Sequence, residues 1–178
     1  MKKNFTLNIT LLGDKKIGKT KLIEDYTSNV STKQKKEYIT FEKKFPNYSM
    51  KLNLYEYSEP PEKRKDIANH HCVIIMFDMT SRQSFENILD IWIKFLRQIN
   101  YVNTIILLGT NNYKDKNALP MTDEKEIGEL IDITGINGSF HYIGDKTAQQ
   151  KNKLIDELIE TTYNEVKDKN NNKDCIII

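Results

Sequence analysis

The segment from residue 13 to residue 20 has the spacing of a phosphate-binding loop. It is Gly13-Asp14-Lys15-Lys16-Ile17-Gly18-Lys19-Thr20, a glycine followed by four residues and then by Gly-Lys-Thr. Backbone N–H groups in such a loop converge on phosphate oxygens at the positive end of a helix dipole. The Lys19 ammonium would reach the terminal phosphates, and the Thr20 hydroxyl would be a ligand for Mg²⁺. The pattern predicts a nucleotide phosphate site without choosing between a GTPase, an ATPase and a small-molecule kinase.

A predicted strand precedes this loop and a predicted helix follows it, which is the context in which the pattern binds phosphate. Apolar and polar residues alternate over residues 4–12, which is the two-residue period of a strand. Leu22, Ile23 and Tyr26 then fall at helical spacing and predict a helix over about residues 18–27.

The rest of the chain predicts two more strands and then three alternations of helix and strand that end in a helix. The further strands are predicted at residues 37–45, 50–57, 72–77, 104–108 and 140–143, with a loop at 28–36 and a helix N-cap at Thr122 matched by a stop at Gly135. The run 72–77 is apolar throughout, as in a strand covered by helices on both faces. We therefore predict an α/β fold, a six-stranded, mostly parallel sheet flanked by helices on both faces.

Composition and charge set the broad class of protein. With 178 residues the chain is the size of one domain, and its 38% hydrophobic and 29% charged residues are those of a globular protein. A net charge of +2 gives no reason to expect nucleic acid as a partner. No apolar run is long enough to span a membrane and no signal segment opens the chain, so we expect synthesis in the cytosol. Two cysteines do not make a disulfide framework.

The stretch over residues 73–87, with Trp92 after it, carries a family resemblance. It contains Asp78-Met79-Thr80, then Ser84-Phe85, and closely resembles the strand-to-helix segment of the Ras, Rab and Rho small GTPases. The resemblance covers about residues 4–168 and identifies the chain as a divergent member of that superfamily. It implies a G-domain over residues 1–168, bound GTP or GDP with Mg²⁺, and a monomer that meets effector proteins, an exchange factor and a GTPase-activating protein. The choice between Rab, Ras and Rho subfamilies stays open.

Several positions depart from the family pattern at the site of hydrolysis. Alignment with the family puts Glu56 at the position of the Mg²⁺-associated Asp, Glu59 at that of the phosphate-sensing Gly and Pro60 at that of the water-orienting Gln. Lys15 stands where many members have a small residue. We therefore assign no catalytic residue and expect weak or absent GTP hydrolysis. The alternative is a pseudo-GTPase, a binding module without turnover.

The first switch loop of the family supplies a Thr to Mg²⁺ and the terminal phosphate, and two residues here fit that role. Thr40 resembles the Ras version and Thr32 the Rab version, so both stay open. The basic run Lys33, Lys35 and Lys36 lies beside them. It is typical of a solvated face and would also influence the choice of effector.

Guanine recognition in the family uses Asn-Lys-x-Asp after the strand that ends in Gly109. Asn112-Tyr113-Lys114-Asp115 keeps the Asn and the Asp, and only a carboxylate accepts both base protons. Of the supporting Ser-Ala-Lys motif, only Lys146 is present. The resemblance therefore implies base contacts from Asn112, Asp115 and Lys146.

The chain ends in Cys175-Ile176-Ile177-Ile178, the pattern of a prenylation site. A terminal Ile is close to Leu and favours geranylgeranyl over farnesyl. We expect a flexible tail over residues 169–178 and a protein at the cytoplasmic face of a membrane. One lipid chain binds weakly and reversibly, so we expect the protein to cycle with the cytosol.

Overall fold

The computed structural model describes residues 5–46, 48–62, 67–111, 120–136 and 138–174, with side chains up to residue 169. Within these residues seven strands and five α-helices are seen. The strands are β1 (Phe5–Leu12), β2 (Lys33–Gln34), β3 (Tyr38–Lys44), β4 (Ser49–Tyr57), β5 (Cys72–Asp78), β6 (Thr104–Thr110) and β7 (Phe140–Tyr142). The helices are α1 (Lys19–Thr27), α2 (Arg82–Asn87), α3 (Lys94–Gln98), α4 (Glu124–Thr134) and α5 (Ala148–Asp174), and a π-helical segment (Ile88–Ile93) joins α2 to α3.

The strands form one sheet in the order β2-β3-β4-β1-β5-β6-β7. All neighbours from β4 to β7 are parallel, whereas β3 pairs antiparallel with β4 and with β2. The predicted α/β architecture is confirmed. The sheet has seven strands and not six, because Lys33 and Gln34, in the predicted loop, pair with Thr40 and Ile39.

Two apolar clusters cover the two faces of the sheet. On one face, Leu7, Ile9 and Leu11 of β1 lie in a cluster with residues of α1 and α5. On the other, Leu12 of β1 lies in a cluster with Trp92 of the π-helical segment and with residues of α2, α3 and α4. β5 and β6 are buried along their whole length, as the continuous apolar run predicted for β5.

The segment after β5 begins as a capped helix and then widens. The Ser81 hydroxyl accepts a hydrogen bond from the Ser84 backbone N–H, so Ser81 is the N-cap of α2. The following six residues, Ile88–Ile93, are π-helical, a form that occurs in short stretches and often at functional sites. Trp92 is 2% exposed within it. Asn87 is thus the last residue before the helix changes its pitch.

The last two helices differ slightly from the sequence prediction. Helix α4 is capped by Asp123, which forms a capping box with Glu126, so Thr122 lies one residue outside the cap and is buried. It ends at Gly135, with φ of +61°, as predicted. Helix α5 continues to Asp174, past residue 169, where the tail was predicted to begin. Over the described ranges, no helix has the length and apolar character needed to cross a membrane.

Candidate functional site

The phosphate-binding loop lies at the carboxyl end of β1 and requires both of its glycines. Gly13 has φ of +146°, and a Cβ atom added there would lie 2.2 Å from the backbone oxygen of Met76 in β5. Gly18 has φ of +95° and is the residue immediately before α1. Any other residue would be strained in the backbone conformation of either position. The turn therefore requires glycine at both.

Lys19, the first residue of α1, braces the loop from inside. It is 2% exposed, and its Nζ donates hydrogen bonds to the backbone oxygens of Gly13 at 2.9 Å and Asp14 at 2.8 Å. Burial lowers the pKa of the ammonium, while the negative charges of Glu56 and Asp14 act in the opposite direction. A positive charge is therefore held under the loop by two carbonyls at the place where phosphates are expected.

Thr20 and Glu56, both at positions that the resemblance associates with Mg²⁺, lie side by side. The Thr20 hydroxyl donates to Glu56 Oε1 at 2.7 Å, across 36 residues of chain. Glu56 lies on β4 opposite Leu11 of β1, two residues before the loop. Hydroxyl and carboxylate oxygens suit Mg²⁺, which usually takes one or two protein ligands and completes its shell with water and substrate phosphates. The described ranges contain no group of three or more His, Cys, Asp or Glu residues placed to hold a metal ion.

An ion pair joins the phosphate-binding loop to the segment after β4. Lys15 Nζ donates to Glu59 Oε1, and both side chains are largely exposed. This hydrogen bond and the charge of Lys15 lower the pKa of the Glu59 carboxyl. The contact keeps a carboxylate at the loop, one residue before Pro60, which supplies neither a side-chain amide nor a backbone N–H.

Two other residues of the loop are held by contacts with the rest of the domain. Asp14 Oδ2 accepts a hydrogen bond from Asn87 Nδ2 at 2.8 Å, which ties the loop to the end of α2. Ile17 is buried in the core cluster beneath the loop, and Lys16 is exposed with φ of +66°. Sequence reasoning gave Asn87 no role, since nothing in a pattern relates two residues that are 73 positions apart.

The two threonines predicted for the first switch loop lie in β3 and directly before β2. Thr40 is in β3 opposite Asn53, three residues before Glu56 along β4. The three residues from Asn53 to Glu56 span about 10 Å along the strand. Thr32 is exposed and directly precedes β2, at the far edge of the sheet. The role of Thr40 as a metal ligand stays a prediction.

The nucleoside side of the site is described only in part. Asn112, Asp115 and the predicted prenylation site Cys175 lie outside the described residues. Lys146 lies in the turn after β7, and its backbone N–H donates to the Ile143 oxygen at 3.3 Å. Because β1, β5, β6 and β7 are parallel, this turn and Gly13 both lie at the carboxyl ends of the strands. The adjoining Asn111 side-chain oxygen is buried, with no hydrogen-bond partner in the described part of the chain.

Comparison with known proteins identifies a family for the chain. The family model described as Ras family matches residues 8–168. Ras-related protein RABA2d of Arabidopsis thaliana is 23% identical over 143 residues, 75% of this chain and 65% of the relative. Ras-related protein RABA4b of the same plant is 23% identical over 173 residues, 85% of this chain and 77% of the relative. Ras-related protein RABC1 is 24% identical over 135 residues, so the chain spans 62% of that relative's length.

Proposed function

Because the chain belongs to the Ras family, we propose that it is a small GTP-binding protein that acts as a molecular switch at a membrane, in signalling or vesicle traffic. We propose further that its own GTP hydrolysis is weak or absent. The observation that carries the proposal is the loop formed by residues 13–20, in which Lys19 is buried beneath the loop and Thr20 faces Glu56.

The residues present fit GTP or GDP with Mg²⁺. The backbone N–H groups of the loop and the Lys19 ammonium would hold the phosphates, and Thr20 and Glu56 would hold the metal ion. When bound, Mg²⁺ would neutralise charge that develops on the phosphates. The Thr20 to Glu56 hydrogen bond supports this assignment, because it places two oxygens within reach of one cation. For the base we propose Asn112, Asp115 and Lys146.

Weak hydrolysis is proposed from three side chains at the mouth of the loop. Pro60 has no group with which to orient water, and Lys15 projects a side chain from the loop. Glu59 adds a negative charge there, held by Lys15. An arginine finger, which stabilises the reacting atoms, contributes about 10³ to 10⁵ to the rate of hydrolysis. Loss of the water-orienting group is expected to lower the rate by orders of magnitude as well.

The membrane part of the proposal rests on Cys175 near the end of the chain. A prenyl group on this residue would anchor the protein reversibly at the cytoplasmic face of a membrane. Effectors, an exchange factor and a GTPase-activating protein are the partners that such a switch requires. Mass spectrometry of the protein isolated from eukaryotic cells, with Cys175→Ser as the control, tests the modification.

Nucleotide content is the first test of the function. We expect guanine nucleotide when the purified protein is denatured and its ligand identified by chromatography. Calorimetry with GTP, GDP and ATP in millimolar Mg²⁺ should then give binding of the first two only. Binding of ATP alone would overturn the guanine assignment, and no binding at all would leave the second candidate below.

Hydrolysis is tested separately by single-turnover assays of GTP-loaded protein. We expect a rate far below that of an ordinary family member, and an increase in the double variant Lys15→Gly/Pro60→Gln. A wild-type rate equal to that of ordinary members would contradict the proposal. The matched control is Lys125→Gly/Pro120→Gln, which makes the same changes away from the loop.

A pseudo-GTPase is the second candidate function, a membrane-tethered binding module that works through its surface without turnover. The ion pair of Lys15 with Glu59 favours it, because Glu59 places a carboxylate where a terminal phosphate would be sensed. Calorimetry distinguishes the two candidates, because only a switch, which releases and exchanges its nucleotide, would bind both added GTP and added GDP.

A further inference from the structure

Two carboxylates from the end of β4 and the segment after it contact the phosphate-binding loop and the start of α1. Glu56 accepts a hydrogen bond from the Thr20 hydroxyl at 2.7 Å, and Glu59 forms an ion pair with Lys15. The first contact is made at α1 and the second at the loop itself. The ion pair therefore lies at the mouth of the loop, where Lys15 would otherwise be available to a phosphate.

The residues proposed for Mg²⁺ relate this ion pair to the end of a bound nucleotide. In such sites the metal ion bridges the last two phosphates of a nucleoside triphosphate. Thr20 and Glu56 are the proposed ligands, and Glu59 follows Glu56 by three residues, which span at most about 11 Å. Lys15 belongs to the loop that would hold the phosphates. The ion pair and the terminal phosphate of GTP would therefore share one small region.

The ion pair changes what the loop offers to a third phosphate. The Lys15 ammonium is already bound to a carboxylate, so it is not free to meet phosphate. Glu59 stays charged at neutral pH, because the hydrogen bond from Lys15 and its positive charge lower the pKa of the carboxyl. GTP carries about one more negative charge than GDP at neutral pH, and this charge would meet Glu59. GDP lacks the phosphate that would meet it.

The backbone restricts how far Glu59 withdraws from the loop. Pro60 and Pro61 follow it directly. A residue before proline is restricted to extended conformations, and proline itself fixes φ. The Glu59 side chain is free to turn toward solvent, but its backbone stays beside the loop unless the segment moves as a unit. Its negative charge is therefore held near the mouth of the loop.

We propose that the ion pair of Lys15 with Glu59 makes this site select GDP over GTP, because Glu59 competes with the terminal phosphate for the Lys15 ammonium. The proposal rests on the proposed function, since it concerns the nucleotide of that switch. When GTP binds, Lys15 exchanges the carboxylate for the third phosphate, and the segment after β4 is released from the loop. The ion pair thus biases the protein towards its GDP-bound form.

The test compares the affinities for GDP and for GppNHp, an analogue of GTP that is not hydrolysed, by calorimetry with the full chain in millimolar Mg²⁺. We expect wild type to bind GDP about tenfold more tightly, since a like charge and an occupied ammonium each contribute a factor of a few. Glu59→Gln should strengthen the binding of GppNHp alone and bring the two affinities within about twofold. The matched control is Glu129→Gln, which breaks an exposed lysine–glutamate pair on α4 and should keep the wild-type ratio.

A second variant separates an exchange of partners from simple repulsion. In the Glu59→Gln background the Lys15 ammonium is free to meet the phosphate, so Lys15→Gln should weaken GppNHp binding several-fold there. In wild type the same substitution should have a much smaller effect, because the ammonium is already paired. Equal effects in the two backgrounds would overturn the exchange. The preference of wild type for GDP should also shrink as salt rises, because exposed charges are screened. An undiminished preference in Glu59→Gln would overturn the proposal.

Failure of this proposal is distinguishable from failure of the proposed function. Equal affinities of wild type for GDP and GppNHp would refute selection by the ion pair and leave the switch in place. Binding of neither nucleotide would refute both. Thermal unfolding without nucleotide checks that each variant is folded, and it should match wild type, because the Lys15 and Glu59 side chains are largely exposed.

Discussion

Replacing Lys19 with Met should separate the two roles of this side chain, bracing the loop and binding phosphate. The substitution keeps an unbranched chain in a site that is 2% exposed, so packing of the stem is largely preserved. It removes the two hydrogen bonds to Gly13 and Asp14. It also removes the cost of burying an ammonium group, which is why the pKa of Lys19 is lowered.

The expected magnitudes differ between the empty and the loaded protein. Without nucleotide, two abandoned carbonyls cost about 1–3 kcal/mol each, and the recovered desolvation offsets much of this, so we expect a net loss of no more than about 2 kcal/mol. With nucleotide, the loss of charge-assisted hydrogen bonds to phosphate should cost about 3 kcal/mol, or roughly 100-fold in Kd.

Thermal unfolding with and without GTP measures both effects. At a GTP concentration 100 times the wild-type Kd, nucleotide should stabilise the wild type by about 2.7 kcal/mol, which raises Tm by about 5–10 °C. For Lys19→Met at the same concentration we expect a rise of only about 1 °C. Lys21→Met, an exposed lysine on the same helix, is the control and should respond as wild type. An unchanged GTP-dependent rise in Lys19→Met would refute the reasoning.

Three further predictions concern stability. Gly13→Ala should destabilise the protein by about 2 kcal/mol or more in urea unfolding and abolish nucleotide binding, because its Cβ would clash with the Met76 oxygen; Gly128→Ala, with no atom near its Cβ, is the control. Burial lowers the pKa of His71, so the unfolded chain takes up the proton first, and stability should fall as pH drops below about 6.5, less steeply in His71→Asn. Tyr26→Phe should cost about 1 kcal/mol, since the phenol donates to Asp156 Oδ1 at 2.6 Å; little change in its urea midpoint would contradict this.

The phosphate site was predictable because its parts are adjacent in sequence. Gly13, Gly18, Lys19 and Thr20 lie within one turn and one helix start, so their spacing alone fixes their geometry. The buried strands were predictable for a related reason, because a run of apolar residues in β5 has few other ways to leave water. Alignment with the family put Glu56 at the position of the Mg²⁺-associated Asp, and in the structure its side chain accepts a hydrogen bond from Thr20.

Contacts between distant segments were not predictable from local patterns. Asn87 holds Asp14 only because α2 packs beside the loop. The two residues of β2 have no period that would distinguish them from the surrounding loop, and their pairing with β3 depends on where the sheet ends. The position of Thr40 opposite Asn53 is likewise set by register, which pairs the whole length of β3 with β4. The register of two paired strands depends on the whole fold and cannot be read from a short stretch of sequence.

Helix α5 has a mechanical consequence for whatever is attached to its end. Its 27 residues make a rod about 40 Å long, and among the side chains described, up to residue 169, Val166 is the last that packs against the core. The helix continues for eight residues from there to Asp174, a length of about 12 Å. An anchor at the end of a helical spacer would fix the distance between the domain and the surface to which it is anchored, and would restrict the tilt of the domain. A flexible linker with the same number of residues would leave both free.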